Sequence, residues 1–344
     1  MTEIFGTLGP ACSGQNVLER MFEAGLTGMR LNLSHTSLEK SAPLIDAFHA
    51  AAANCGVSPA LLIDMQGPEL RVGKLERELV LSAGDKIRFG RGGIPVPDAV
   101  LPELTEGREV LLDDGKLLVR IKNARGGYAE GFVLRGGTLQ SAKSVAVRGV
   151  SIHTPAMTEA DLKNFAAAKK AGVTAVMQPF VRSKEDLHAV RAALDGFGCG
   201  DVQLFSKIES LEGLGALPEI MAASDVIIIA RGDLGNATGL TRLPGVQKDI
   251  AASCRAAGKP FLVATQMLAS MEHSPVPTRA EISDVFNAVL DGAHAVMLTA
   301  ETAVGRYPVE SIRYLKDTAA AAEKWMAERP RRDAAEACKN GAAY

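Results

Sequence analysis

Cysteine is scarce in this chain: five residues in 344, an odd number, at Cys12, Cys55, Cys199, Cys254 and Cys338, with no C-x-x-C pair. Such usage gives no disulfide framework and reads as reduced thiols in a cytoplasmic protein. Long apolar runs are missing too. Although 47% of the residues are hydrophobic, no run approaches the ~18 residues of a membrane span, so none is expected. The N-terminal MTEIFGTLGP has no basic segment leading into a long apolar stretch, which argues against a secretory signal. Positive charge is not in excess either. The formal charge is −2, without the basic footprint of a nucleic-acid binder.

What is present suits one large α/β domain with an insertion, or two domains. Short apolar runs alternate with Ala-rich amphipathic segments. The runs are EIFGTLG, GMRLNLS, ALLIDMQ, AVMQPFV, VQLFSKIE, DVIIIARG, PFLVATQ and AVMLTAE. Between them lie helical patterns such as NVLERMFEAG, SLEKSAPLIDAFHAAAANCG, LEGLGALPEIMAAS and RAEISDVFNAVLDGA, several ending in the glycine of a helix C-cap. Eight strands in βα order predict a (β/α)8, or TIM, barrel; a doubly wound sheet satisfies the pattern alone. One connection breaks the rhythm. Residues 72–149 are Gly-rich and alternating, with Asp-Gly and Gly-Gly turns, and read as a small antiparallel β lid domain inserted after the third strand. Residues 1–71 and 150–328 then make the barrel, and 329–344, weakly periodic, form a C-terminal tail.

Two runs end abruptly in charge, LFSKIE and VIIIARGD. Lys207, Glu209, Arg231 and Asp233 therefore fall where buried parallel strands finish, the end at which such sheets bind ligands. Lys207 and Glu209 lie two apart and point the same way. Two carboxylates and an ammonium converging there suit a divalent cation holding an anionic substrate. A salt bridge at a strand end is the plainer alternative.

The blocks GMRLNLSH, LLIDMQGPELRVG, LFSKIESLEG, IIIARGDLG, GKPFLVATQMLASM and PTRAEISDVFNAVLDGAHAVMLTAETAVGRYP resemble pyruvate kinase motifs, in that family's order, over nearly all of residues 1–325. The resemblance implies phosphoryl transfer from phosphoenolpyruvate to ADP with Mg²⁺ (or Mn²⁺) and K⁺. It implies Glu209 and Asp233 as divalent-metal ligands, and Lys207 beside the phosphoryl group and enolate oxygen. It implies Arg30 and Arg71 at the phosphate, and Gly232 with Asp233 in the loop that takes the substrate carboxylate. Thr265 would stand beside the reacting carbon. Asn32, Ser34, Asp64 and the carbonyl of Met65 resemble the K⁺ ligands, Glu69 the motif of K⁺-dependent members, and His35 a residue near the nucleotide phosphates. Self-association is expected to use barrel helices, giving a homodimer.

The nucleotide half departs from the family's pattern. Gln66 and Ser183 stand where lysines are usual, with Lys184 one place further on; Asn236 and Ala237 replace Val-Glu; Thr299 and Ala300 replace Ser-Gly. The hinge SAKSVAVRG differs from SKKGVNLPG, His153 stands in place of Asp, the lid is short, and the sequence stops soon after the eighth helical pattern. The expected activity is therefore a short, unregulated kinase. Its alternatives are a metal-dependent aldolase or 2-oxoacid decarboxylase that keeps only the pyruvate-enolate chemistry, and a catalytically silent binding protein.

Overall fold

The computed structural model describes residues 1–341 except His35, Pro68, Glu69, Asp114, Ser151 and His153, with side chains described as far as Glu328. In chain order the first elements are β1 (Glu3–Thr7), α1 (Gln15–Glu23), β2 (Gly28–Asn32), α2 (Ala42–Cys55) and β3 (Ala60–Asp64). Seven strands follow: β4 (Leu79–Leu81), β5 (Lys86–Gly90), β6 (Glu109–Leu112), β7 (Leu117–Arg125), β8 (Tyr128–Arg135), β9 (Gly137–Leu139) and β10 (Val145–Val147). The βα rhythm then resumes with α3 (Glu159–Ala168), β11 (Ala175–Gln178), α4 (Lys184–Gly196), β12 (Gln203–Ile208), α5 (Leu211–Gly215), α6 (Leu217–Ala223) and β13 (Val226–Ala230). The last elements are α7 (Arg231–Thr238), α8 (Leu243–Ala256), β14 (Phe261–Ala264), α9 (Arg279–Leu290), β15 (Ala295–Met297), α10 (Ala300–Ala303) and α11 (Pro308–Gly341).

The eight expected parallel strands close into a barrel in the order β1-β15-β14-β13-β12-β11-β3-β2, which settles the choice against an open doubly wound sheet. Their near-continuous apolar sequences follow from burial on both faces. One set of side chains, including Phe5, Leu62, Met177, Phe205, Ile228 and Met297, fills the barrel interior. The other set packs outward against the helices, as Ile4, Leu61, Leu204 and Ile229 do.

Local chemistry sets the helix limits. The pattern from Ser37 becomes helical only at Ala42, because Pro43 belongs in a first turn, where its missing N–H costs nothing. The stretch LEGLGALPEIMAAS divides into α5 and α6, with Pro218 in the first turn of the second. Capping boxes from Thr158 with Asp161 and from Thr278 with Glu281 start α3 and α9. Residues 329–341, expected to trail off, continue α11. Among the described residues no helix is long and apolar enough to cross a membrane.

Between β3 and α3 the chain builds a separate β unit. It has a five-stranded antiparallel sheet, β10-β6-β7-β8-β5, and the pair β4-β9. Its own core includes Phe89, Val119, Ile121 and Leu139. Entry and exit run side by side: Arg71 pairs with Ser144, and Val72 N–H donates to the Lys143 carbonyl at 2.8 Å.

Candidate active site

The period of two along each strand decides which side chains reach the barrel mouth. Leu62 and Phe205 lie in the apolar interior, so Asp64 and Lys207, two residues on, stand one layer nearer the carboxyl ends. Arg30 pairs with Leu62 in register and faces the same layer. The result is a charged floor resting on an apolar plug.

Its contacts are close. Asp64 Oδ2 accepts from Arg30 Nη2 at 2.7 Å and Nε at 2.8 Å, and from Lys207 Nζ at 3.4 Å. Lys207 Nζ also lies 3.0 Å from Glu209 Oε1, while Glu209 Oε2 accepts the Phe180 N–H at 2.8 Å. Burial opposes ionisation of Asp64, but Lys207 and Arg30 outweigh it and hold the carboxyl below its ordinary range. Burial also opposes the Lys207 ammonium, and Asp64 with Glu209 outweighs that, raising its pKa. The strand-end salt bridge foreseen as the plain alternative is thus present, within a chain of four charges that opens onto a cleft.

That cleft, of about 1360 Å³, brings together Arg30, Asn32, Ser34, Asp64, Met65, Arg71, Lys207, Glu209, Gly232, Asp233 and Thr265. Asn32 Oδ1 accepts the Ser34 N–H at 3.0 Å, a local turn contact. Arg71 sits at the junction with the β unit and donates through Nη1 to the Ala142 carbonyl at 2.6 Å. Gly232 and Asp233 fall in the first turn of α7, at the start of a helix. His35 and Glu69, expected at the nucleotide and in the K⁺ motif, and His153 lie outside the described residues.

Arg231 does not join the ion chain. Its Nη1 grips Asp284 at 2.6 and 2.8 Å, and its Nη2 donates to the Thr265 carbonyl at 2.6 Å. It anchors the segment that carries Thr265. That segment is strained: Thr265 has φ 74° and Gln266 φ 52°, a left-handed conformation that non-glycine residues avoid. Thr265 Oγ1 is buried and has no hydrogen-bond partner. Phe180, whose N–H meets Glu209, is also left-handed at φ 49°. Strain and an orphaned hydroxyl at the rim of a charged cleft are what functional sites accumulate.

Sequence reasoning missed Asp161. Fully buried, it accepts the Gln66 and Gly67 N–H groups at 2.7 and 3.0 Å as well as Thr158 Oγ1 at 2.8 Å, and so fixes the loop after β3. The motif T-x-x-D is a signal that could have found its capping role; its second use depends on the tertiary fold.

Comparison with known proteins agrees with this geometry. A family profile described as "Pyruvate kinase, barrel domain" matches residues 1–312. Pyruvate kinase of Sporosarcina psychrophila is 37% identical over 323 residues, 91% of this chain and 55% of that protein. That of Bacillus licheniformis is 36% identical over 334 residues, 94% of this chain and 57% of that protein. Pyruvate kinase of Aeropyrum pernix is 36% identical over 336 residues, 96% of this chain and 73% of its own length. The chain spans a little over half the length of the first two relatives.

Proposed function

Because this chain belongs to the pyruvate kinase family, we propose that it transfers the phosphoryl group of phosphoenolpyruvate to ADP, giving pyruvate and ATP. The observation that carries this reading is the floor itself. Arg30, Asp64, Lys207 and Glu209 are linked in one run, facing a buried Thr265 hydroxyl with no partner.

The residues divide the work as follows. Arg30, Arg71 and Lys207 hold the substrate phosphate, the arginines through their planar donor forks. Backbone N–H groups of Gly232 and Asp233, in the first turn of α7, take the carboxylate. Lys207 stabilises charge developing on the enolate oxygen, and Asp64 keeps it aimed. Thr265 Oγ1 sits where a proton must reach the enolate carbon.

Glu209 and Asp233 would hold Mg²⁺ or Mn²⁺. Their hard oxygens suit it, and substrate oxygens with water complete such a shell without a third side chain. When bound, the ion supplies charge neutralisation at the phosphate. Asn32, Ser34, Asp64 and the Met65 carbonyl would hold K⁺; among the described residues Arg30 and Lys207 meet Asp64 through Oδ2, which leaves Oδ1 for the ion. Residues 72–149 act as a lid that shelters the cleft from water, with Arg71 at its hinge. A cytoplasmic homodimer through barrel helices, α9 first, completes the proposal.

The test is pyruvate formation from phosphoenolpyruvate and ADP with Mg²⁺ and K⁺. Activity should vanish in excess chelator and in Asp233→Asn, with the fold intact; full activity in either case refutes the site. A second reading, enolate chemistry without the kinase step, is favoured by positions 66 and 183, which carry no cation. Ser183 instead stands at the N-cap of α4. Exchange of pyruvate methyl protons with solvent, together with no pyruvate formed from phosphoenolpyruvate, would establish it.

A further inference from the structure

The Glu209 carboxylate is met on each of its oxygens. The Lys207 ammonium lies 3.0 Å from Oε1, and the Phe180 N–H donates to Oε2 at 2.8 Å. The second contact comes from outside β12, from the turn that follows β11. Phe180 holds φ 49° in that turn, a conformation a bulky residue keeps only where its surroundings impose it. Whatever imposes it is therefore part of how Glu209 is aimed.

The surrounding contacts converge on Arg182 and Asp186. Asp186, in the first turn of α4, accepts the Arg182 backbone N–H at 3.1 Å and Nε at 2.9 Å through Oδ2, and Nη2 at 2.9 Å through Oδ1. Its own carbonyl accepts Gln178 Nε2 at 3.2 Å, so one residue grips the turn on both sides of Phe180. Arg182 Nη2 also donates to the Thr154 carbonyl at 2.8 Å, on the chain returning from the β unit. Val181, between Phe180 and Arg182, is fully buried, and a Cβ added at Gly213 would stand 2.4 Å from its carbonyl oxygen. The clamp carries a cost. Arg182 Nη1 and Gln178 Oε1 are buried, and neither has a hydrogen-bond partner among the described residues. A planar fork that spans both oxygens of one carboxylate and reaches a carbonyl besides gives a fixed geometry that a lysine cannot.

We propose that Arg182 and Asp186 are positioning residues for Glu209: they hold the strained turn whose Phe180 N–H fixes the orientation of the Glu209 carboxylate toward a divalent cation. The inference rests on the metal assignment made above. Oε2 keeps a second lone pair for the ion while it accepts the N–H. With the turn released, the carboxylate is free to swing both oxygens onto the Lys207 ammonium, and the ion loses a ligand.

The test is Mn²⁺ binding to the protein without substrates, followed by electron paramagnetic resonance, with thermal melting alongside. Arg182→Lys keeps the charge and loses the fork; Asp186→Asn keeps the size and loses the carboxylate. Each should weaken Mn²⁺ roughly tenfold, the lower end for groups that orient a metal ligand. In turnover, the Mn²⁺ concentration for half-activation should rise by about the same factor, with kcat at saturating Mn²⁺ largely retained. Asp225→Asn is the control, because it breaks the 3.0 Å pair that ties Arg191 of the same helix to the amino end of β13. It should leave Mn²⁺ affinity unchanged. Undiminished Mn²⁺ affinity in both clamp variants, or an equal loss in Asp225→Asn, would overturn this inference and leave the metal assignment standing. No Mn²⁺ binding by the unaltered protein would overturn the metal assignment and this inference with it.

Discussion

Replacing Asp64 by Asn asks whether one carboxylate holds the charged floor together. Asp64 Oδ2 receives Arg30 at 2.7 Å and Lys207 at 3.4 Å, and those cationic side chains are only 13% and 16% exposed. Asparagine keeps the shape and one acceptor oxygen but leaves two cations facing each other. A unit pair ~3 Å apart is worth roughly 5 kcal/mol at an effective dielectric constant of about 20. Breaking a buried pair by removing one partner costs about 3–5 kcal/mol in measured cases. Lys207 retains Glu209 at 3.0 Å. The amide oxygen can still accept from Arg30, so the lower end, about 3 kcal/mol, is expected. At roughly 2 °C per kcal/mol for a large domain, melting should fall by about 6 °C at neutral pH.

The same substitution has a pH signature. The Asp64 carboxyl is depressed in the folded protein, so its stabilisation is present above the unfolded value near ~4 and is lost as pH falls through the lower folded value. Thermal unfolding followed by circular dichroism should show the gap between unaltered protein and variant constant near neutrality and closing below about pH 4. A variant that melts within about 1 °C of the unaltered protein at neutral pH would refute the reasoning, since the pair would then contribute nothing.

Thr265→Gly should separate stability from chemistry. Relief of the φ 74° conformation offsets the entropy cost of glycine, so melting should hold or rise slightly. Turnover should nevertheless fall about 100-fold, the scale of a lost proton-transfer group. Thr265→Ser should retain activity, and equal turnover in the glycine variant would remove the hydroxyl from the mechanism. The cysteines make a second check. Burial pushes the Cys12 and Cys254 thiols up to about 11, so in native protein near pH ~8 a thiol reagent should reach them far more slowly than in denaturant. Rapid native labelling at either site, located by mass spectrometry, would contradict the packing.

The barrel was legible because its strands announce themselves. Runs such as VIIIA and FLVA are buried on both faces, and each is followed by a polar residue, Arg231 and Thr265. The floor was legible for the same reason: Lys207 and Glu209, two apart, could only point one way, and they meet at 3.0 Å. What escaped was decided between elements rather than within them. Nothing in ATQM announces two left-handed residues, because the strain at Thr265 is held by Arg231, which is itself clamped to Asp284 on α9. Nor does the sequence show that Ala146 and Ala237 share a cavity; that depends on how the β unit lies over the barrel. The break between α5 and α6 was signalled by Pro218, but the Ala-rich periodicity on either side masked it.

The distribution of departures follows from the same physics. Asp64 and Glu209 are each 3% exposed and tied to Lys207, so changing any one of them strands a buried charge. Gln66, Ser183, Asn236, Ala237 and Ala146 are not buried, and most lie on turns or near element ends. Substitution there costs the fold little, since surface changes away from caps and networks usually stay within about 0.5 kcal/mol. A barrel of this kind can therefore change residues at its rim while the linked charges of its floor stay fixed. Under the proposed function, the rim and not the floor is where this chain's own specificity has to be sought.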